Sequence, residues 1–304
     1  MNTPEPAPPA TRSDAAVAWA TRTVSGLGLV VCVWAAIAAG DVLVHGHPAY
    51  AVFLGIVFLA SAFAAVRAWP KPRAQGRRFK VLRWVALAAS CGVLASVWWL
   101  VPYRAIGPAH AAMKSDATVA VTETAGRIVM APVKNPGDVG VFFQPGALVD
   151  ARVYAAILRP LAEAGHTVVI PKQPFGIAFL ATGAFSGARS DHPPVIRWVV
   201  GGHSLGGVVS ANDAASFAAA ADAPVAGLLF FASYPATDVS VLNMPVLSVS
   251  GSNDGLSTPE EIDASRDLLP PGTRFTEIEG ATHASFGDYG RQAGDGFPSI
   301  PPEE

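Results

Sequence analysis

Between Arg22 and Arg67 the only formal charge is Asp41, and between Arg83 and Arg104 there is none. Such stretches limit the solvent in which this chain can fold. They contain three apolar runs, Thr23–Leu43, Ala49–Val66 and Trp84–Val101, of 18 to 21 residues each. At 1.5 Å per residue, a helix of that length crosses a hydrocarbon core of ~30 Å. These runs account for an overall composition of 51% hydrophobic and 14% charged residues, which is too apolar for an ordinary soluble protein. A cleaved signal peptide would have a shorter apolar stretch and would not be followed by two more runs of spanning length. Three spans are expected, with two as the alternative.

The loops set an orientation. Arg67, Lys71, Arg73, Arg77, Arg78, Lys80 and Arg83 fall between the second and third runs with no acidic residue among them, while the turn His45–Pro48 carries no Lys or Arg. The positive-inside rule places this basic loop and the N-terminus in the cytoplasm, and everything beyond Tyr103 outside. Trp98, Trp99 and Tyr103 supply aromatics suited to a membrane interface. From Arg104 onward there are 12 basic and 20 acidic residues, which argues against a nucleic-acid partner. The basic loop reads as a solvated face toward lipid headgroups. The expected location is the plasma membrane, with the bulk of the chain extracytoplasmic.

Expected boundaries are a cytoplasmic tail at 1–22, whose first ten residues are proline-rich and read as disordered, and a membrane region at 23–103. A linker at 104–116, a globular domain at 117–298 and a short tail at 299–304 complete the chain. In the globular part, candidate strands are Ala117–Thr122, Arg127–Ala131, Val139–Phe143, Thr167–Ile170, Val195–Val200, Ala226–Phe231, Pro245–Ser250 and Arg274–Ile278. Helical patterns fill Ala151–Ala164, Leu205–Ala220 and Pro259–Leu268. Unalternating apolar strands separated by helices predict an α/β fold with a mostly parallel sheet covered on both faces, its first strands pairing antiparallel. The two cysteines, Cys32 and Cys91, both lie in the apolar runs. The globular domain therefore has no disulfide, cysteine metal site or thiol catalysis available to it.

Chemistry concentrates at Gly202-His203-Ser204-Leu205-Gly206-Gly207. An apolar run precedes this Gly-x-Ser-x-Gly pattern and helix-compatible residues follow it, which is the strand–turn–helix context of a nucleophile elbow. Small residues two before and two after the serine are what so sharp a turn requires. The alternative is a purely structural strand-to-helix turn. A serine hydroxyl needs a base, and the base needs an orienting acid, which follow in chain order serine, acid, histidine. His283 lies in a loop of small residues after the last strand, whereas His203 neighbours the serine and is expected to pack or hydrogen-bond behind the elbow. Asp254, after the strand ending at Ser250, is the favoured acid, with Asp238 as rival; Asn253-Asp254-Gly255 is also ordinary turn chemistry. Two backbone donors are expected to form an oxyanion hole, one at Leu205 and one in the loop Gln144–Val149. Ala147 is the candidate in that loop, ahead of Leu148.

The segments FFQPGALVDARVYAAILRPLAEAGHTVVIPKQPFGIAFL (142–180), VVGGHSLGGVVSAN (199–212), SVSGSNDGLSTPEEI (248–262) and EIEGATHASFGDYGRQAGDG (277–296) resemble a bacterial alpha/beta-hydrolase family of the fold-5 type, related to dienelactone hydrolase-like and esterase-like enzymes. The resemblance spans roughly Val139 to Gly296 and implies the triad Ser204, Asp254 and His283. Phe286, with Asp288 and Tyr289, is expected either to line the pocket or to fix the His283 loop. Lys172 is placed near the mouth of the site, to meet an anionic substrate or to be solvated. The connection from Phe175 to Pro194 is too short for a large cap, so an open site is expected.

The leading expectation is a membrane-anchored serine hydrolase acting on a small-molecule or lipid-like acyl substrate, without metal or organic cofactor. A non-catalytic binding or sensor module on the same fold, or an acyltransferase using the same triad, are the alternatives.

Overall fold

The computed structural model describes residues 11–70 and 77–301. The tail expected at residues 1–10, and Lys71 and Arg73 of the basic loop, lie outside the described residues. The chain divides into two compact units, one made of the chain up to Leu43 with Pro48–Val101, the other of Pro102 onward with Val44–His47.

In the first unit, α1 (Arg12–Ala39) starts earlier than the apolar run alone suggests. Thr11 caps it with a reciprocal box: the Asp14 N–H donates to Thr11 Oγ1, and the Thr11 N–H to the Asp14 carboxylate. Gly40, at φ 54°, ends the helix four residues short of the expected boundary at Leu43. The other long helices are α2 (Pro48–Ala68) and α3 (Arg77–Trp99). All three are long and apolar enough to cross a membrane. Arg22 donates through Nε to the Ala68 carbonyl, and Tyr50 donates its hydroxyl to the Val97 carbonyl, tying α1 to α2 and α2 to α3. Lys80 Nζ meets the buried Asp14 carboxylate at 3.0 Å.

The second unit takes in the stretch 104–116 that composition presents as a linker. Here α4 (Pro108–Ala112) forms, and Ala105, Ala109 and Ala112 enter the core. Alanine is too weakly apolar to mark this packing in the sequence. Eight strands follow: β1 (Val119–Glu123), β2 (Arg127–Pro132), β3 (Val139–Gln144), β4 (Thr167–Pro171), β5 (Arg197–His203), β6 (Val225–Phe231), β7 (Val246–Gly251) and β8 (Arg274–Ile278). They make one sheet in the order β1-β2-β4-β3-β5-β6-β7-β8. β1 pairs antiparallel with β2, and β2 antiparallel with β4, while the remaining pairs are parallel.

After α4, the longer connections of this unit hold α5 (Ala155–Glu163), α6 (Ala184–Asp191), α7 (Leu205–Phe217) and α8 (Pro259–Ala264). α6 was not expected, because its segment reads as a Gly- and Ala-rich connection; Phe185 and Ala188 on one face supply its burial. Alternate residues of β3 face two separate cores. Val141 and Phe143 join Tyr154 and Leu158 on one side, and Phe142 joins Trp198, Val200 and Phe185 on the other. This double coverage is why the strand reads as a continuous apolar run.

Candidate active site

β5 runs three residues beyond its expected end, because Gly202 pairs with Gln144 and His203 with Phe231 on its two parallel neighbours. The chain then turns at once into α7. Ser204 sits at the turn with φ 52° and ψ −125°, a left-handed conformation that a side-chain-bearing residue adopts only when its surroundings impose it. A Cβ at Gly202 would lie 2.3 Å from the Gly206 carbonyl carbon, and one at Gly206 would lie 2.1 Å from the Gln144 carbonyl oxygen. Both glycines are required by close backbone approach. The Ser204 backbone is held on both sides, its N–H donating to the Phe231 carbonyl and its own carbonyl accepting from Ser233 Oγ.

The other two predicted groups meet at the C-terminal edge of the sheet. Asp254 follows β7 and His283 follows β8, and both are buried. His283 Nδ1 lies 3.0 Å from Asp254 Oδ2. Asp254 Oδ1 accepts the N–H groups of Leu256 and Ser257 at 2.8 Å each. That carboxylate is thus oriented by its own loop, and its Oδ2 faces Nδ1 of the imidazole. Asp238, the rival acid, is exposed and accepts the Ser240 N–H from its own turn. The Ser204 hydroxyl makes no hydrogen bond among the described residues; such contacts are commonly long in ligand-free sites and tighten with substrate.

Loop Gln144–Val149 follows β3. The Gly146 N–H donates to Tyr154 Oη at 2.9 Å, the Leu148 N–H to the Gly176 carbonyl at 2.8 Å, and the Val149 N–H to the Gly146 carbonyl. Pro145 has no N–H. The Leu148 amide is therefore committed elsewhere, and Ala147 retains an N–H without a partner among the described residues. Leu205 opens α7, so its N–H precedes the first intrahelical bond.

His203 is fully buried. Its Nδ1 lies 2.9 Å from Tyr154 Oη, and its Nε2 lies 3.1 Å from the His283 carbonyl. Because Tyr154 Oη accepts from Gly146, its proton goes to Nδ1, and Nε2–H donates to His283. Burial first, and the neighbouring His283 second, hold the His203 imidazole well below its ordinary pKa, so it remains the neutral ring that this relay needs. Tyr154 carried no signal in the sequence beyond its place in a helical stretch.

The structure corrects one expectation and selects between the two roles given for another residue. Lys172 is not at a substrate mouth. It is buried, with Nζ 2.8 Å from Glu123 Oε1 and 2.6 Å from the Thr124 carbonyl, and it fastens the end of β4 to the end of β1. Phe286 is buried against His203 and Phe231, with ring centroids 6.2 and 5.6 Å away, so it packs behind the His283 loop instead of lining a pocket. A buried polar cluster also went unread. Gln173 Nε2 donates to Gln144 Oε1 at 2.9 Å, and Gln144 Nε2 reaches Asp213 Oδ2 at 3.5 Å. No group of three or more metal-ligating side chains occurs among the described residues.

An alpha-beta serine hydrolase homologue from Coxiella burnetii is 17% identical over 56% of this chain and 90% of its own, with a TM-score of 0.41. A thermostable esterase from Pseudomonas putida is 18% identical over 57% of this chain and 76% of its own, with a TM-score of 0.40. A serine hydrolase without a lid from Xanthomonas campestris is 16% identical over 56% and 88%, with a TM-score of 0.39. No curated protein matches the sequence. The profile of the alpha/beta hydrolase family matches residues 140–304, more than half of the chain, from β3 through the elbow, the Asp254 loop and the His283 loop. The chain belongs to the alpha/beta hydrolase family.

Proposed function

We propose that this protein is a membrane-anchored serine hydrolase that cleaves an ester or related acyl bond outside the cytoplasm. The carrying observation is the buried Asp254–His283 hydrogen bond at the same sheet edge as the strained Ser204 elbow. In this reading Ser204 Oγ attacks the acyl carbon as His283 Nε2 takes its proton, and the carbonyl electron pair moves onto oxygen. The N–H groups of Leu205 and Ala147 receive that oxyanion. Collapse breaks the bond to the leaving group, which takes the proton from the imidazolium. Water then attacks the acyl-enzyme with its proton passing to His283, and the carboxylic acid departs as Ser204 regains its hydrogen. Asp254 holds the imidazole tautomer throughout.

An apolar, lipid-like acyl group is supported by Phe179 and Leu180, large exposed side chains on the short 3-10 turn Ala178–Ala181 that packs against α7. The orientation rests on the basic residues between Arg67 and Arg83. A membrane-impermeant fluorophosphonate applied to intact cells tests chemistry and sidedness together. Labelling of wild type and not of Ser204→Ala is the expected result. No labelling even after lysis would overturn the hydrolase assignment, and labelling only after lysis would overturn the orientation.

A further inference from the structure

Asp295 lies in the last loop of the chain, beyond the groups that the sequence marks as chemical. Its Oδ1 accepts the N–H groups of Gly255 at 3.2 Å, His283 at 3.1 Å and Gly296 at 2.7 Å, and its Oδ2 accepts that of Ala284 at 2.9 Å. Gly255 is the residue after Asp254, and Ala284 is the residue after His283. A single carboxylate thus fastens the backbone of the acid's loop to the backbone of the base's loop. Burial opposes its charge, but the four amides outweigh burial and hold the carboxyl below its ordinary value.

The surrounding backbone is pressed into the same joint. A Cβ at Gly296 would lie 1.9 Å from the Asn253 carbonyl oxygen. The Asn253 N–H donates to the Ala281 carbonyl, and its side-chain amide to the Phe297 carbonyl at 3.0 Å. Segment 295–297 therefore lies across both loops, and Asp295 is the only side chain among the described residues that accepts backbone N–H groups from both.

We infer that Asp295 is a positioning residue for the acid–base pair, setting the separation of Asp254 and His283 through their backbones. This rests on the triad reading above. It separates from a merely structural role because the effect falls on one geometry, the Asp254–His283 hydrogen bond. Asp295→Asn places an NH₂ where Oδ2 now faces the Ala284 N–H, donor against donor, while leaving one acceptor oxygen. Asp295→Ala removes all four acceptor contacts.

The test uses the full chain in membranes or detergent, measuring kcat and KM on a chromogenic ester, the rate of fluorophosphonate labelling, the thermal midpoint, and the downfield proton signal of His283 Nδ1–H. Displacing a catalytic pair by about 1 Å costs on the order of 10²-fold in rate. Asp295→Ala should lower kcat by roughly that factor with KM within about threefold, and the Nδ1–H signal should shift or broaden. Asp295→Asn should lie between it and wild type. Where the alanine variant does not fold, the asparagine variant carries the test. Folded variants with kcat within twofold of wild type and an unmoved Nδ1–H signal overturn the proposal alone. A loss of kcat that only tracks a loss of folded protein overturns it as well. A wild-type chain that takes no label at Ser204 overturns the triad reading and this inference with it.

Discussion

The two units of this chain solve the same problem in opposite ways. In the helical unit large apolar side chains such as Ile37, Leu59 and Leu82 point outward, while the small or polar Ser25, Gly28 and Ala35 are buried between helices. In the hydrolase unit the large side chains, Trp198, Phe142, Phe143 and Tyr154, are inside, and the alternation of β3 separates them into two cores. Only the second pattern is one that water produces. The first suits a lipid solvent, where small residues let helices approach and apolar bulk needs no covering. The proposed chemistry follows the same division, since Ser204, Asp254 and His283 all fall in the second unit.

The sharpest way to break that division is at Ser204. Ser204→Ala should reduce kcat by about 10⁶, the loss seen for the nucleophile of a well-studied triad, without altering the far-UV spectrum or the thermal midpoint. Serines of the helical unit give the contrast, and Ser90→Ala should leave turnover unchanged. Residual turnover of Ser204→Ala within tenfold of wild type would place the chemistry elsewhere. Asp254→Asn comes next, with an expected loss of about 10⁴, against less than threefold for the exposed Asp238→Asn. Steady-state rates that reverse this order would reassign the acid.

How much of this was legible in the sequence differs between the units for a physical reason. Apolar strands and long uncharged helices write themselves as apolar runs, so the eight strands were readable to within three residues, whereas α1 and α3 start well before their apolar runs, at Arg12 and Arg77. Gly202 and Gly206 were readable because a strained turn restricts residue type. What could not be read depends on contacts far along the chain. Lys172 looks like any loop lysine until Glu123 and the Thr124 carbonyl are brought to it by the β2–β4 pairing. Asp295 in a Gly-Asp-Gly stretch looks like turn chemistry until four backbone amides converge on it. α4 and its buried alanines were missed because alanine carries little hydropathy signal.

A smaller effect tests the solvent itself. Leu59, near the middle of α2, is 67% exposed, and Val241, in a loop of the hydrolase unit, is 87% exposed. In one solvent, aspartate at either site would be tolerated alike. With α2 in lipid, Leu59→Asp should disfavour insertion by about 3–4 kcal/mol, read as a loss of carbonate-resistant membrane protein. Val241→Asp should change stability by no more than about 0.5 kcal/mol. Equal, small effects at both sites would remove the case for a membrane-spanning α2.

The buried acids extend the comparison to charge. In the helical unit Asp14 is met by the Lys80 ammonium at 3.0 Å. In the hydrolase unit the one side-chain partner of Asp213, on α7, among the described residues is the neutral Gln144 amide at 3.5 Å. Burial therefore dominates there and pushes its carboxyl up to about 7, with Gln144 offsetting little. The folded protein then binds this proton more tightly than the unfolded chain, where the carboxyl titrates near 4. Between about pH 4 and pH 7 the native state carries the excess proton, so the contribution of Asp213 to stability falls as pH rises through that window and is flat above it. Asp295 has the opposite sign, because its carboxyl is lowered; its contribution is present at neutral pH and is lost as pH falls through its folded value. Asp213→Asn should accordingly gain stability over wild type as pH is raised from 4 to 7, by an amount on the order of 1 kcal/mol or more given about 1.4 kcal/mol per pKa unit. Urea midpoints of the two proteins at pH 5 and pH 8 decide it. A difference that does not change between those two pH values would mean that Asp213 is already ionised in the fold, and that the Gln144–Gln173 cluster compensates a buried charge instead of housing a proton.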